Sequence, residues 1–356
     1  MNGNIGEWSE LYALFKLLAD GIVYAADENV NKYPNIYFQI IKAQRFQNNK
    51  AWDYIREGTV TIIKSDEISE ISIPVSEFAD EADKILAGIK KYSGKGGAFK
   101  IPEVIDFIKK IKCSSIKASS NKKADVFLLL RDITTKFNET FGFSIKSQLG
   151  SPSTLLNASS ATNFVYRIKN TKLTREQIDR FNDMDSFKEK FTFLNDLGAK
   201  LEFVKIPSEN FDFNLSMISS DLPLIWAKMI ELSYLSKDRA VASLAKKTAD
   251  SGIVNTLNNQ RFIEYKIKNS LVSIALGMMP GTLWNGLYEA LGGYIIVKKD
   301  GEIVCYHIFN QNAFRDYVFL YTKLDTPATK RNNFGTIYEE NGEHLIKLNL
   351  QIRFTK

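Results

Sequence analysis

Apolar side chains recur near the start of the chain at the spacing of an α-helix. Between Glu7 and Ala19 the apolar residues of one helical face are Trp8, Leu11, Tyr12, Leu14, Phe15 and Leu18. Asp20 and Gly21 follow this stretch and supply a stop signal. The pattern therefore predicts a first helix over Glu7–Ala19 with one strongly apolar face.

The same patterns predict strands and helices along the rest of the chain. Alternating or short apolar runs predict strands at Ile36–Ala43, Thr59–Lys64, Glu67–Ile73, Val126–Leu130 and Phe141–Leu149. Helical spacing predicts helices at Val75–Lys91, Pro102–Ile111, Ser153–Val165, Arg175–Phe193, Leu222–Leu235, Arg239–Ala249 and Asn258–Leu276. The C-terminal third predicts strands at Gly293–Lys298, Ile303–Ile308, Tyr317–Lys323, Gly335–Glu339 and Leu345–Phe354. This irregular order indicates an α+β (mixed α/β) protein and not a repeating βαβ array.

Length and composition are those of a globular protein with a sizeable core. The chain has 356 residues, of which 44% are hydrophobic and 25% charged. No run approaches the roughly 18 apolar residues of a bilayer span, and the N-terminus lacks the pattern of a secretory signal. We therefore expect a cytoplasmic protein that does not associate with a membrane. A net charge of +6 is compatible with a polyanionic partner.

Cysteine and histidine are too scarce for several kinds of site. The two cysteines, Cys113 and Cys305, lie far apart and suggest no disulfide framework. With only His307 and His344, a Cys/His zinc site, a histidine general base and a Ser-His-Asp triad are all disfavoured. Any catalysis must therefore depend on carboxylates, lysines, amides and hydroxyls.

Two basic segments rich in Gly and Ser interrupt the first half of the chain. They are KKYSGKGGAFK (Lys90–Lys100) and KASSNKK (Lys117–Lys123). Both are typical of loops, and each could be a solvated surface linker or a loop that contacts phosphate groups. The first is not a Walker A loop, because its glycines and lysine do not have the required spacing.

A carboxylate and a lysine lie on two successive strands. Asp125 directly precedes the apolar strand Val126–Leu130. On the next strand, Ser144, Lys146 and Gln148 share one face, because side chains alternate along a strand. A lysine in so apolar a strand needs a compensating charge, which Asp125 would supply from an adjacent strand. The alternative is an edge strand with a solvated Lys146 and with Asp125 capping a turn.

The residues around these two strands resemble the PD-(D/E)XK nucleases, and within them the restriction enzymes of the HpaII type. The similar segments are NIGEWSELYALFKLLADG, GFSIKSQLGSPSTLLNASSATNF, and PATKRNNFG followed by HLIKLNLQIRF. The resemblance implies a central mixed sheet flanked by helices, with a β-rich C-terminal region. It implies a nuclease core at 1–165, in which 50–120 is an inserted or accessory segment. It also implies a DNA-recognition region at 166–356, helical and then β-rich, which could pack with the core as one unit.

The same resemblance implies the activity: a type II restriction endonuclease that uses Mg²⁺ to cut double-stranded DNA. It implies the palindromic site CCGG, cleaved after the first cytosine. A palindrome would favour a homodimer or paired monomers. A cognate methyltransferase would protect host DNA without needing to bind this chain. Two alternatives are a repair or structure-selective nuclease of the same superfamily, and a DNA-binding protein that has lost catalysis.

Site residues follow from the resemblance position by position. Asp125 matches the metal-binding aspartate and Lys146 the catalytic lysine. Ser144 stands where the superfamily has an acidic residue, so Gln148 could offer its carbonyl oxygen to the metal. Glu10 on the first helix is our candidate for the missing carboxylate. Glu7 is the reserve candidate, although acidic residues in a first helical turn are also common for structural reasons.

Sequence recognition is expected from a polar loop between two predicted strands. The loop carries Lys330, Arg331, Asn332 and Asn333. Arg or Lys best meets the O6 and N7 acceptors of guanine, and Arg331 is our candidate for that contact. The alternative is a solvated turn with two charges.

Overall fold

The structure is a computed structural model that describes residues 1–47, 50–65, 68–116, 123–132, 138–307, 310–327 and 334–355. The α-helices in these ranges are α1 Ile5–Asp20, α2 Val75–Tyr92, α3 Ile105–Lys110, α4 Arg175–Asp183, α5 Phe187–Asp196, α6 Glu209–Ile218, α7 Leu222–Leu235, α8 Val241–Asp250, α9 Asn259–Leu276 and α10 Gln311–Leu320. Short 3-10 turns lie at Pro102–Val104 and Ser160–Thr162.

The strands are β1 Ile22–Ala26, β2 Lys32–Gln47, β3 Lys50–Glu57, β4 Val60–Ser65, β5 Ile68–Pro74, β6 Val126–Asp132, β7 Asn138–Ser147, β8 Thr154–Leu156, β9 Asn163–Lys169, β10 Lys200–Lys205, β11 Gly293–Val297, β12 Ile303–His307, β13 Thr322–Leu324, β14 Ile337–Glu340, β15 Glu343–Asn349 and β16 Ile352–Phe354. Helices and strands in mixed sheets confirm the α+β class.

The chain forms two compact units. The first comprises Met1–Ser153 and Tyr288–Tyr317, and the second comprises Thr154–Leu287 and Val318–Thr355. Strands β11 and β12 therefore belong to the first unit, although they lie far beyond residue 165 in the sequence.

A nine-stranded sheet, counted over the described residues, forms the first unit. Its order is β1-β12-β11-β7-β6-β2-β3-β4-β5, and β1 also pairs with β2. Two neighbouring pairs, β1 with β12 and β11 with β7, are parallel; the other pairs are antiparallel. β7 lies between β6 and β11, so it is hydrogen-bonded along both edges.

Helix α1 packs its apolar face into the main core of this unit. All six residues of the predicted face are buried, and Phe15 makes edge-on ring contacts with Phe78 of α2 and Phe107 of α3. Asn4 caps the helix, and Gly21 ends it in the left-handed conformation at φ 69°. The predicted first helix is confirmed.

The second unit contains two smaller sheets and most of the remaining helices. One sheet has the order β10-β9-β15-β14 and the other β13-β16-β8. Within its helical part, Trp226 of α7 donates a 3.2 Å hydrogen bond to the Ser270 hydroxyl of α9. Tyr166 of β9 donates a 2.7 Å hydrogen bond to the carbonyl of Ala227 on α7, which joins the helices to the sheet.

Two predicted elements are wrong, and two more are divided: Arg175–Phe193 into two helices, and Leu345–Phe354 into β15 and β16, which belong to different sheets. Ser153–Val165 is not a helix: it contains β8, a 3-10 turn and the start of β9, because β9 pairs with both β10 and β15. Tyr317–Lys323 is not a strand: α10 continues to Leu320 and only a short strand follows. In α10 the buried residues Ala313, Phe314, Tyr317 and Val318 have helical spacing, which the β-favouring composition of this segment concealed. The predicted helix Arg175–Phe193 is divided into α4 and α5, and Ser186 caps the second helix.

Candidate active site

Asp125 is held against β7 by two hydrogen bonds to one carboxylate oxygen. Its Oδ2 accepts from the Ser144 hydroxyl at 3.1 Å and from the backbone N–H of Ile145 at 2.6 Å. The backbone N–H of Asp125 donates to the carbonyl of Phe143 at 2.8 Å. Among the described residues, no donor lies within hydrogen-bonding distance of Oδ1. The strand pair therefore fixes the carboxylate and leaves one oxygen for a ligand.

Lys146 lies two residues beyond Ser144 on the same face of β7. The ion pair with Asp125 that we expected is not formed: in the described part of the chain, Lys146 makes no salt bridge. Its ammonium instead lies 5.3 Å from the ring centroid of Tyr294. Tyr294 is opposite Ser144 in the parallel pairing of β11 with β7. A cation over an aromatic ring is stabilised, and no described carboxylate pairs with Lys146, so this side chain stays available to a phosphate.

A second lysine and a second carboxylate lie beside this pair. The backbone N–H of Lys123 donates a 2.8 Å hydrogen bond to Oε2 of Glu289. Burial, and then the nearby charge of Lys146, lower the pKa of Lys123 to about 8, while Glu289 and Asp125 act in the opposite direction. Lys123 ends the basic segment KASSNKK, whose other residues lie outside the described ranges.

A cavity of about 380 Å³ joins the N-terminus of α1 to the end of β7. Lys146 and Glu10 both line this cavity, and so do Gly96 and Gly97 from the predicted basic loop Lys90–Lys100. Asp125 and Gln148 are not part of its lining. The structure thus brings Glu10 and the Gly-rich loop to the end of the strand that carries Lys146.

Glu7, the reserve candidate, has a structural role. Its Oε2 accepts a 2.9 Å hydrogen bond from the backbone N–H of Asn4, while its own N–H donates to the Asn4 side chain at 3.0 Å. This reciprocal pair is a capping box, which satisfies two backbone donors at the start of the helix. The Glu7 carboxylate is therefore engaged at the helix terminus.

Comparison with known proteins identifies the family. The family model of the HpaII restriction endonuclease matches residues 4–354. The chain belongs to this family. It is 44% identical to the type II restriction enzyme HpaII of Haemophilus parainfluenzae over 359 aligned positions, which cover 99% of this chain and 98% of that protein. No solved structure matches the chain.

In this member of the HpaII restriction endonuclease family, the remaining predicted ligand is Gln148. Its backbone N–H donates a 2.8 Å hydrogen bond to the carbonyl of Val297, which continues the pairing with β11. Its side-chain amide has no hydrogen-bond partner within the described ranges, so its carbonyl oxygen is not otherwise engaged. In the same ranges, no three His, Cys, Asp or Glu side chains are grouped so that they could hold a metal ion.

The predicted recognition residues Lys330, Arg331, Asn332 and Asn333 lie outside the described residues. None of the described helices combines the length and the apolar composition that a membrane span requires.

Residues that the sequence did not single out complete the site. Tyr294 and Glu289 come from the segment at and before β11, far from Asp125 in sequence. The apolar run Gly293–Val297 predicts β11 as a buried strand, but nothing in this run indicates that β11 pairs with β7. For Lys123 there was a signal, because it belongs to a basic segment for which phosphate contact was one alternative.

Proposed function

We propose that this protein is a Mg²⁺-dependent type II restriction endonuclease that hydrolyses double-stranded DNA. One observation carries the proposal: Asp125 is bonded to β7 at Ser144 and Ile145, and Lys146 follows on the same strand. An aspartate and a lysine in this arrangement agree with a PD-(D/E)XK core. Membership of the HpaII restriction endonuclease family, matched over nearly the whole chain, supports the same activity.

The residues present fit a hard divalent cation. Mg²⁺ prefers oxygen ligands, keeps several waters and is held by one or two carboxylates together with a substrate phosphate. Asp125 would hold it through Oδ1, with Glu10 or the Gln148 carbonyl as a further ligand. When bound, the ion lowers the pKa of a coordinated water and offsets charge on the phosphate.

The side chains of this chain would supply the rest of the chemistry. Lys146 is a cation without a carboxylate partner in the described ranges, so it would orient the attacking water and stabilise the charge that develops on the phosphate. Lys123 adds a second positive centre beside it. The Ser144 hydroxyl and the Ile145 N–H would keep Asp125 in place through the reaction.

Specificity for CCGG, with cleavage after the first cytosine, is the finer part of the proposal. It is supported by the match to the type II restriction enzyme HpaII. Arg331 would contact a guanine, with Lys330, Asn332 and Asn333 beside it. A palindromic site would be bound by two copies related by a two-fold axis, and a cognate methyltransferase would protect host DNA.

The deciding experiment is the incubation of purified protein with plasmid DNA in Mg²⁺ and, separately, in EDTA. Discrete fragments whose ends map to CCGG are expected with Mg²⁺ only. Asp125→Asn and Lys146→Ala should abolish cleavage and retain the fold. Asp106→Asn, on an exposed turn of α3, is the matched control and should cut normally. Near wild-type cleavage by either site variant would contradict the assignment.

One observation favours a second candidate, a DNA-binding protein without catalysis. Ser144 stands where the superfamily has an acidic residue, and because its hydroxyl is neutral it offers no charge to a metal. Such a protein would retard DNA in a gel but release no fragments in Mg²⁺. A repair or structure-selective nuclease would instead give heterogeneous products without a common end sequence.

A further inference from the structure

A cavity with a cationic lining lies in the second compact unit. It has a volume of about 600 Å³, and it is formed by α5 and by the residues at and after the end of α7. The charged residues that line it are Lys188, Lys237 and Arg239. None of its described lining residues is acidic. Three positive charges around one cavity repel one another, so a bound anion would stabilise this arrangement.

Within the described part of the chain, no carboxylate pairs with either lysine. Lys188 and Lys237 are both exposed, and neither forms a salt bridge with any described residue. Arg239 is bonded to the Thr326 hydroxyl and lies 6.0 Å from the ring centroid of Tyr234.

The aromatic residues of the cavity are engaged with one another. The rings of Phe191 and Tyr234 are stacked, with centroids 5.1 Å apart and an interplanar angle of 12°. They are only 5% and 7% exposed, so neither offers a free face on which a nucleobase could stack. The exposed Leu235 adds an apolar surface to the lining, while the three cations and the hydroxyls of Thr192 and Ser236 supply groups that suit a phosphate.

The cavity also adjoins both described ends of the segment that carries the proposed guanine-reading residues. On one side, Arg239 is bonded to Thr326. On the other side, Lys190 of α5 donates a 2.7 Å hydrogen bond to the carbonyl of Gly335, and Phe334 stacks on Phe187 at 5.5 Å. The elements that carry the cations therefore also contact the described residues on both sides of this segment.

We infer that Lys188 and Lys237, with Arg239, bind backbone phosphates of the DNA beside the recognition segment. The inference rests on the proposed function, since it names a further DNA contact of the same protein. Phosphate contacts fix the position of a protein on the duplex and carry no sequence information. These residues would therefore contribute affinity and register, while base contacts would supply the preference for CCGG.

The test is DNA binding by the double variant Lys188→Gln/Lys237→Gln, measured by fluorescence anisotropy in EDTA over a range of salt concentrations. Two duplexes are compared, one with a CCGG site and one without. Binding to both should weaken alike, by about ten- to a hundredfold at moderate salt. The slope of log K against log salt should become shallower by about 1.8, because each lost phosphate contact contributes about 0.9.

Two matched variants complete the design. Lys188→Arg/Lys237→Arg keeps the charges and should bind nearly as wild type. Lys200→Gln/Lys205→Gln removes two exposed lysines of β10 in the same unit and should keep the wild-type slope. Both lysines of the cavity are exposed, so a melting curve should show an unchanged fold.

An unchanged salt slope in the cavity variant, or an equal change in the β10 control, would overturn the inference. A loss confined to the CCGG duplex would also overturn it, because it would make these residues base readers. Wild-type protein that neither binds nor cuts DNA would instead contradict the proposed function. Discrete cleavage by wild type together with an unchanged slope would leave the proposed function standing and remove only this inference.

Discussion

The Ser144 hydroxyl donates a 3.1 Å hydrogen bond to Oδ2 of Asp125. The resemblance to the PD-(D/E)XK nucleases predicts a second acidic residue at position 144, and this chain has a neutral hydrogen-bond donor there. An acidic residue at 144 would repel Asp125, whereas serine stabilises it. The serine therefore adds no negative charge beside Asp125, and its hydrogen bond helps to fix the orientation of that carboxylate.

Ser144→Ala should lower both stability and activity. It removes a part-buried hydrogen bond to a carboxylate, which should cost about 1–2 kcal/mol in the free energy of unfolding. Cleavage should fall about tenfold, because Asp125 would be less well oriented. Urea unfolding and plasmid cleavage measure the two effects. Ser147→Ala, which removes only neutral hydrogen bonds, is the control; equal effects of the two changes would contradict the role assigned to Ser144.

Glu10→Ala and Glu7→Ala should separate metal binding from helix capping. If Glu10 is the further carboxylate, its loss should lower cleavage by orders of magnitude and raise the Mg²⁺ concentration that is required. Loss of Glu7 should cost about 1 kcal/mol of stability through the capping box, with little change in Mg²⁺ requirement. Cleavage across a Mg²⁺ titration, together with melting curves, distinguishes them. If Glu10→Ala cut DNA as wild type does, Gln148 would become the candidate for the further metal ligand.

Lys123 should make stability depend on pH in the alkaline range. Its pKa is lowered to about 8 in the folded state from 10.5, so the unfolded chain binds more protons between these values. Stability should therefore rise with pH across this window, by about 3 kcal/mol. Lys123→Met should remove that rise and stabilise the protein at pH 7. Unfolding curves between pH 7 and pH 10.5 test this, with Lys200→Met as an exposed control. If the free energy of unfolding depended on pH equally in Lys123→Met and in wild type, Lys123 would not be the group responsible.

Gly293→Ala should disrupt the first sheet next to the site. A Cβ at this position would lie 1.8 Å from the carbonyl oxygen of Tyr306, and φ is +106°. We expect a loss of about 2–4 kcal/mol and impaired cleavage, because β11 would be displaced from its neighbours. Gly58→Ala is the matched control: it has φ +57° but nothing within 4 Å, so it should cost only about 1–2 kcal/mol. Similar losses for both would show that the clash is relieved.

Arg331→Ala should relax sequence discrimination at one base pair. The loss of a bidentate contact to guanine should cost about 1–3 kcal/mol on the CCGG duplex and less on a duplex with that base pair changed. The discrimination is measured by the binding of this variant to CCGG and to single-base variants of the site at two salt concentrations. A uniform loss over all sequences would make Arg331 a phosphate contact.

Local patterns in the sequence predicted the parts of the site that are close together in the chain. The alternation along β7 placed Ser144 and Lys146 on one face, and the apolar run of β6 placed Asp125 at its start. These features depend only on the period of a strand. The contact of Lys146 with Tyr294 could not be predicted in this way, because it depends on β11 pairing with β7 across a large separation in sequence. The prediction of a helix at Ser153–Val165 was wrong for the same reason. β9 begins in this segment, and the two strands that pair with it, β10 and β15, come later in the chain.

The order of strands in the nine-stranded sheet also has a consequence for synthesis. β7 acquires its second neighbour only when β11 has been translated, after the whole of Thr154–Leu287. A nascent or prematurely terminated chain that ends before Gly293 has Asp125 and Lys146 but lacks Tyr294, and one edge of β7 has no partner. Domains fold as units once their residues have emerged from the ribosome. We therefore expect the proposed cleavage activity to appear only after most of the chain has been made.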